Sequence, residues 1–472
     1  MNSHARSLAI RISLAVAVCA LIPAAAMAQQ RWERDYGGDD EDEGFFVRQT
    51  ADSGYIVAGR TTSFENQYQV YLVKTDAYGD TAWTRNYGGT DDDGGMSVEL
   101  TGDGGYIVAG AASTPGNSYQ VYLVRANASG DTLWTRTYGG TGYDVGMSVQ
   151  QTRDGGYIVT GYTESFGDSS QLYLVRTNAA GDTIWTKAYG GPGYEYGNSV
   201  RQTADGGYII TGYTTSFGAG SDDVWLVKTD SAGDTLWTRT YGGTGYDEGN
   251  CVEQTTDSGF VVAAQSCAPG GTYEFYLIKT NAAGDSLWSR TYGGPGSDYC
   301  QSVQQTTDGG YVVVGRSASF GNRLQVYLVR TDRSGAPIWT RTYGRAGNDE
   351  GISVRQTNDG GYVVAGRTTS FGNANQVYLV KTNADGSVAV ELTPEAAARR
   401  TASAATIARG MLYLPAIGEG RMASSELLDI SGRKVLALRA GANDISHLAP
   451  GVYFIKSADE RRMAMIRVVV TR

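Results

Sequence analysis

Seven acidic residues stand six positions after seven tyrosines: Asp42, Asp93, Asp144, Glu195, Asp247, Asp298 and Asp349. Carboxylates converging on one cavity can hold a hard cation such as Ca2+, or accept hydrogen bonds from a polyol. The same residue type in a loop also does simpler work, bonding backbone amides and fixing a turn. In five of the seven units a Ser-Phe pair accompanies the acid in the repeating pattern, giving Phe64, Phe166, Phe217, Phe320 and Phe371. An aromatic ring beside a carboxylate suits a sugar, the ring covering its apolar face while the oxygen accepts from hydroxyls. The bland alternative is that each Phe plugs a gap between neighbouring units. Histidine is nearly missing: His4 and His447 are the only two, both outside the repeats. The repeats therefore have no imidazole for general-base or metal-ligand work. Carboxylates alone can hydrolyse glycosides, but no pair is singled out by spacing.

The elements that must carry these residues are set by a repeat. Trp32, Trp83, Trp134, Trp185, Trp237, Trp288 and Trp339 recur every 51 residues, with one step of 52. Each unit reads Trp-x-basic-x-Tyr-Gly, an acidic loop, Ser-Val-x-Gln-Thr, Asp-x-Gly-Tyr with an apolar run, a Ser-Phe-Gly loop, Tyr-Leu-Val-Lys and a Gly-Asp-Thr turn. Runs such as "GGYIITG" and "QVYLVKT" are β-rich and apolar on both parities, as in strands covered on both faces. In "LWTRTYGG" Trp134, Arg136 and Tyr138 share one face by period two, a packing ladder with a cation between aromatics. The many glycines, 65 against 9 prolines, supply tight turns. Seven units of four strands predict an all-β, seven-bladed β-propeller of four-stranded blades, followed by a small C-terminal β-sandwich domain. In the seventh unit Val390, Leu392 and Pro394 occupy the places of Trp, Arg and Tyr. The expectation is that "RWERDYG" from the N-terminus supplies the missing strand beside Tyr378-Leu379-Val380 and closes the ring.

Both ends of the chain read differently from the repeats. Residues 1–28 have a basic start, an apolar run and the small-x-small site Ala26-Met27-Ala28, a signal peptide pattern that predicts export and removal. The propeller is expected over 29–392 and a linker over 393–409, "TPEAAARRTASAATIAR". In 410–472, "ELLDISGRKVLAL" reads as a hairpin through Ser431-Gly432, "LAPGVYFIKS" as a further strand and "MAMIRVVVTR" as a last one. This tail resembles the type A sorting domain of the type IX secretion system. The resemblance rests on Asp429-Ile430-Ser431-Gly432-Arg433-Lys434-Val435, on Asn443-Asp444-Ile445, on Leu448-Ala449-Pro450-Gly451-Val452-Tyr453-Phe454 and on the terminal Arg467 to Arg472. It marks Asp429, Gly432, Arg433, Pro450, Gly451 and Tyr453 as sorting-motif residues and implies passage of the outer membrane, with the type IX machinery as partner and the cell surface or medium as destination. The Asn-Pro pair often found where such domains begin is missing. The propeller stretch, in turn, resembles bacterial repeat propellers built on a Ser-Val-x-Gln-Thr-x-Asp-Gly-Gly-Tyr unit, a likeness that implies the fold and little about activity.

Charge and cysteine narrow the function classes. The chain carries 49 acidic and 39 basic residues, and its acidic excess lies in the repeats because both ends are basic. A propeller of that sign repels phosphates, which argues against nucleic acid. No stretch after the signal segment is long and apolar enough for a membrane helix. Cys251, Cys267 and Cys300 sit in adjacent units, compatible either with one disulfide and a free thiol or with buried unpaired thiols. Departures from the repeat are scattered: Asp39 to Glu43, Asp91 to Asp93, Ser221 to Trp225, Cys251 with Cys267, and Arg323. An enzyme would gather its departures around a few acids. The reading is therefore a secreted, non-catalytic propeller that binds a glycan or protein partner or serves in the envelope, without a cofactor unless Ca2+ sits in the acidic ring; the alternative is a carbohydrate-active propeller enzyme.

Overall fold

Each repeat folds into one antiparallel sheet of four strands, as the alternation of apolar runs and glycine turns requires. The computed structural model describes residues 31–388 except 66, 115–117, 268–270 and 373, and, further on, 406–408, 411–414, 425–429, 433–438, 441–445, 448–449, 451–457 and 465–470. The signal segment, most of the expected linker, Gly432 and Pro450 lie outside the described residues. In the first blade the strands are Asp42–Gln49, Tyr55–Thr61, Gln69–Thr75 and Thr81–Tyr87, hydrogen-bonded in that order. Five further blades repeat it. The seventh consists of Asp349–Gln356, Tyr362–Thr368 and Gln376–Thr382, with Trp32–Tyr36 as its fourth strand. Trp32 pairs with Lys381 and Tyr36 with Val377, so the ring closes on the expected residues. Ser-Val-x-Gln-Thr is the first strand of every blade, and these seven strands line the central channel.

The core lies between blades. Ile56 and Leu72 pack with Tyr106 and Val108 of blade two, whereas Val57 and Val73 pack with Val363 and Val377 of blade seven. Alternate residues of one strand thus face opposite neighbours, which is why the sequence is apolar on both parities.

Three sets of contacts repeat around the ring. Each fourth-strand tyrosine donates its hydroxyl proton to a glycine carbonyl of the next blade's last turn, from Tyr36 to Gly79 at 2.7 Å through Tyr343 to Gly386 at 2.6 Å. Each tryptophan meets the aromatic ring that opens the next blade's second strand, as in Trp83–Tyr106 with centroids 5.8 Å apart. Gly79 shows why glycine stands under that ring: its φ is +81°, and a Cβ there would lie 2.9 Å from Trp32. The third set clasps the inner turns. Gln49 Oε1 accepts from Asn358 N, Gln151 from Gly102 N and Gln202 from Arg153 N, while Leu100 occupies that place in blade two. The arginines of the fourth strands do lie over their tryptophans, Arg136 at 5.7 Å from the Trp134 centroid.

Residues 389–472 form a second compact unit. A five-stranded sheet runs in the order Thr406–Ala408, Met465–Val470, Gly451–Ser457, Ser425–Leu428, Lys434–Leu438, and Met411–Leu414 pairs separately with Gly441–Asp444. Ser425–Leu428 and Lys434–Leu438 are antiparallel neighbours, the hairpin read from the sequence. Thr406–Ala408 departs from the linker reading: this short β-branched stretch pairs in parallel with Val468–Val470. Leu427, Leu438, Ile445 and Tyr453 form the core of the unit. Among the residues that carry the sorting-domain resemblance, Asp429 accepts from Arg433 N and Nε at 3.0 and 3.2 Å, and the Tyr453 hydroxyl donates to Ala449 O at 2.8 Å. Gly451 opens its strand. Among the described residues no helix is long and apolar enough to cross a membrane.

Candidate functional site

The seven acids of the sequence reading begin the inner strands, but of the seven only Asp93 borders a channel cavity. Asp42, Asp93, Asp144, Glu195, Asp247, Asp298 and Asp349 are all buried. Their carboxylates turn back into the loop before the strand. Asp144 Oδ2 accepts from Gly140 N at 2.8 Å and from the Ser165 hydroxyl at 2.7 Å, and its Oδ1 accepts from Thr163. Glu195 accepts from Gly191 N at 3.0 Å and from Thr214 at 3.0 Å. Asp298 and Asp349 repeat the pattern with Ser319 and Ser370, Asp42 with Ser63, and Asp93 and Asp247 bond the loop amides of Gly89 and Gly243. Buried carboxylates bonded to backbone cannot form a solvent-facing cation or polyol ring, so that reading gives way to turn chemistry. Among the described residues no group of three or more His, Cys, Asp or Glu is placed to hold a metal.

Replacing Asp144 by Asn should lower stability by about 1–3 kcal/mol, because a charge-assisted acceptor is lost while the loop donors stay buried. Thermal melts with and without added Ca2+ or sugars check this: the loss should be the same in each.

Four of the five Ser-Phe loops do meet the acids, but through serine. The rings turn outward onto the third strand of their own blade: Phe64 on Tyr71, Phe166 on Tyr173, Phe217 on Trp225, Phe320 on Tyr327 and Phe371 on Tyr378, with centroids 4.9–5.8 Å apart. The aromatic–carboxylate pair expected for a sugar is therefore not formed at these positions. Four of the rings are about half exposed and Phe371 less so.

What does face the channel is the residue after each acid, together with its cross-strand partner on the second strand. These pairs are Glu43–Arg60, Gly94–Ala111, Val145–Tyr162, Tyr196–Tyr213, Glu248–Gln265, Tyr299–Arg316 and Glu350–Arg367. All of these except Glu43, Gln265 and Tyr299 border an open cavity of about 710 Å3 at one mouth of the channel. Its walls differ from side to side. Over blades one, seven and six runs a continuous chain of ion pairs: Arg60–Glu43 at 2.7 Å, Glu43–Arg367 at 2.5 Å, Arg367–Glu350 at 3.0 Å and Glu350–Arg316 at 2.7 Å. Burial opposes the charge on Arg367, but Glu350 and Glu43 outweigh it and hold its pKa above the usual value.

Across the cavity, blades three and four present tyrosines. Tyr196 lies between Tyr162, 4.5 Å away, and Tyr213, stacked at 4.8 Å with an interplanar angle of 14°. Burial pushes the Tyr162 hydroxyl up to about 12. The floor is half apolar, with Met96, Met147 and Ile352, and half amide, with Asn198, Asn250 and Gln301. Asn198 and Asn250 donate their amide protons to Gly249 O and Cys300 O, and Asn250 Oδ1 also accepts from Asn198 Nδ2 at 3.4 Å. Glu248 stands between the two walls, bonded to Gln265 at 2.9 Å; burial, with Asp222 adding to it, raises its pKa despite that bond. Cys251 and Cys300 are free thiols within one apolar cluster, and Cys267 is partly exposed. Burial pushes the Cys300 thiol well above its ordinary value, so it stays a neutral hydrophobe.

Sequence reading missed this mouth. Glu43 and Arg60 are 17 residues apart and belong to one wall only through the strand register. The signal was present in the repeats laid over one another: the residue after the acid, the residue two further on, and the residue before the last of the second strand vary while their neighbours stay fixed.

Comparison with known proteins places residues 357–388, within the seventh blade, in a match to the family model "Domain of unknown function (DUF5122) beta-propeller". No curated protein sequence matches the chain. Among solved structures it is similar to BamB from Moraxella catarrhalis, at 15% identity over 75% of this chain and 99% of that one, with a TM-score of 0.41. It is also similar to the Neurospora crassa Pan2 WD40 domain, at 8% identity over 75% and 97% with a TM-score of 0.47, and to YCF48 bound to D1 peptide, at 8% over 76% and 97% with 0.44. The chain thus carries a seven-bladed β-propeller whose seventh blade matches a propeller repeat of unknown function.

Proposed function

We propose that this protein is an exported, non-catalytic binding propeller that holds a saccharide in the tyrosine-walled mouth. The observation that carries this reading is the stacked pair Tyr196–Tyr213, flanked by Tyr162 and by the amides of Asn198 and Asn250. Flat aromatic faces cover the apolar face of a pyranose, and amide and carboxylate oxygens accept from its hydroxyls. The opposite wall has its charges already paired, so it suits a neutral or weakly charged ligand. A glycan array on the mature protein should show a restricted set of hits. Tyr196→Ala and, separately, Glu248→Gln should each weaken the best hit about tenfold or more, in line with loss of one stacking face or one charged hydrogen bond. Hits that both variants keep at full strength would refute the mouth as the site.

Glu248 favours one competing reading, hydrolysis of that saccharide, because a carboxyl whose pKa is raised by burial suits a general acid. A panel of glycoside substrates run beside the array separates the two; turnover abolished by Glu248→Gln would replace the binding reading. Export rests on the signal segment and on the sorting-domain resemblance of the tail. Deleting residues 410–472 should leave the protein in the periplasm of a host with a type IX system, and normal secretion of that truncated chain would refute this part.

A further inference from the structure

The opposite mouth of the channel is narrowed by the variable residue of Ser-Val-x-Gln-Thr, one from each blade. Three are Arg48, Arg201 and Arg355; two are Glu99 and Glu253; Gln150 and Gln304 complete the ring. Together they carry one net positive charge in a chain of net charge −10. They line an open cavity of about 560 Å3, separate from the tyrosine-walled mouth.

The partners within the ring do not balance. Each arginine turns Nη1 back to its own strand, donating to Val47 O, Val200 O or Val354 O. Arg48 then grips Glu99 with two nitrogens, Nε at 3.1 Å and Nη2 at 2.8 Å. Arg201 and Arg355 have no such grip. Both are more than nine-tenths buried, and Nη2 of each has no hydrogen-bond partner. Gln150 and Gln304 add donors rather than acceptors, because their Oε1 atoms already accept from Gln202 N and Gln356 N. Glu253 Oε2 accepts from Gln305 N at 3.3 Å. Two buried, unpartnered guanidinium N–H groups, on arginines that line a polar cavity whose ring residues carry a charge surplus of one, are a donor set without its acceptor. Burial, together with the neighbouring Arg48 and Arg201 charges, lowers the Arg355 pKa to about 10 even with Glu253 opposing, so the arginines repel one another across the channel.

We propose that this ring is a binding site for one small monovalent anion, a halide or a carboxylate group, held between Nη2 of Arg201 and Nη2 of Arg355. Such an ion satisfies both donors and cancels the surplus charge, as a charge-assisted hydrogen bond on each side. It also links blades four and seven across the axis and so stabilises the closed ring.

Bromide is the probe. The full chain, exchanged into sodium gluconate, is titrated with sodium bromide at constant ionic strength while its melting temperature is followed, and crystals grown with bromide are measured at the bromine absorption edge. The expected result is a saturable rise in Tm and one anomalous peak between Arg201 and Arg355. Arg201→Gln should weaken bromide about tenfold or more, the loss of one charged donor. Acetate should compete with bromide; a carboxylate that displaces it at lower concentration identifies a peptide or metabolite carboxylate as the natural occupant, and a weaker one a halide. Water alone in the ring, or a Tm response to bromide that Arg201→Gln leaves unchanged, overturns the proposal. The crystal measurement on the unaltered protein decides the matter even if the variant fails to fold.

Discussion

Replacing Trp32 with alanine is expected to destabilise the propeller by about 3–5 kcal/mol, the cost of removing a large buried aromatic side chain. Trp32 is 4% exposed, whereas Trp83, Trp134 and Trp339 are only partly buried. Its ring meets Tyr55 edge-on at 5.7 Å, rests on Gly79, and donates Nε1–H to Ala77 O at 3.3 Å. Those three partners belong to blade one, while its backbone belongs to the sheet of blade seven. One side chain thus joins the two ends of the array, and five residues, Trp32–Tyr36, cover an edge that would otherwise be an unpaired strand. The equivalent change at Trp134, inside a continuous stretch of chain, should cost less. Urea melts of the two variants test this: similar midpoints would mean that closure contributes nothing beyond one more tryptophan, and a reduced m-value for Trp32→Ala would show blade seven opening on its own.

The closure was legible because it depends on counting. Once the period is known, a unit with Val390, Leu392 and Pro394 in place of Trp, Arg and Tyr lacks a strand, and Trp32, Arg34 and Tyr36 are the spare one. The inner position of Ser-Val-x-Gln-Thr was legible for the same reason, since four strands in sequence order fill a blade from the axis outward. The direction of a side chain at a strand end was not. Asp144 and Val145 are adjacent in sequence and point to opposite sides of the sheet, and the bulge between Gly146 and Ser148 resets the alternation just inside the mouth. Constancy drew attention to the acid, yet a residue required by every loop is what a turn demands. The variation instead lies in the neighbouring place, which reads Glu, Gly, Val, Tyr, Glu, Tyr and Glu around the ring.

Asp359→Ala should be the other costly change, by about 3–5 kcal/mol, because it leaves a buried ammonium without its partner. In every blade the basic residue of Tyr-Leu-Val-Lys/Arg reaches the aspartate of the inner turn, and Lys381 is the most enclosed of the seven, at 1% exposure. Its Nζ donates to Asp359 Oδ1 and Oδ2 at 3.1 and 2.9 Å and to Thr382 O at 2.9 Å. Burial lowers the Lys381 pKa, and Asp359 opposes that shift. Removing the carboxylate lowers it further, so the unfolded chain binds more protons there than the folded one and stability rises with pH. The deficit of the variant should therefore shrink between about pH 8 and pH 10, below the unfolded lysine pKa of about 10.4. The unaltered protein has its own slope at the acid end. Burial raises the pKa of Asp52, but hydrogen bonds from Lys74, Thr50 and Gly54 N outweigh it and set the value at about 2; Asp205, Asp257 and Asp359 are lowered in the same way. With folded values below the unfolded value of about 3.9, the stability these aspartates contribute is complete above about pH 4 and fades as pH falls toward about 2. Urea midpoints measured from pH 2 to pH 10 for both proteins test the two slopes. The double variant Asp359→Ala, Lys381→Met isolates the cause: if it is no more stable than Asp359→Ala, the loss comes from the turn that Asp359 braces and not from the stranded charge.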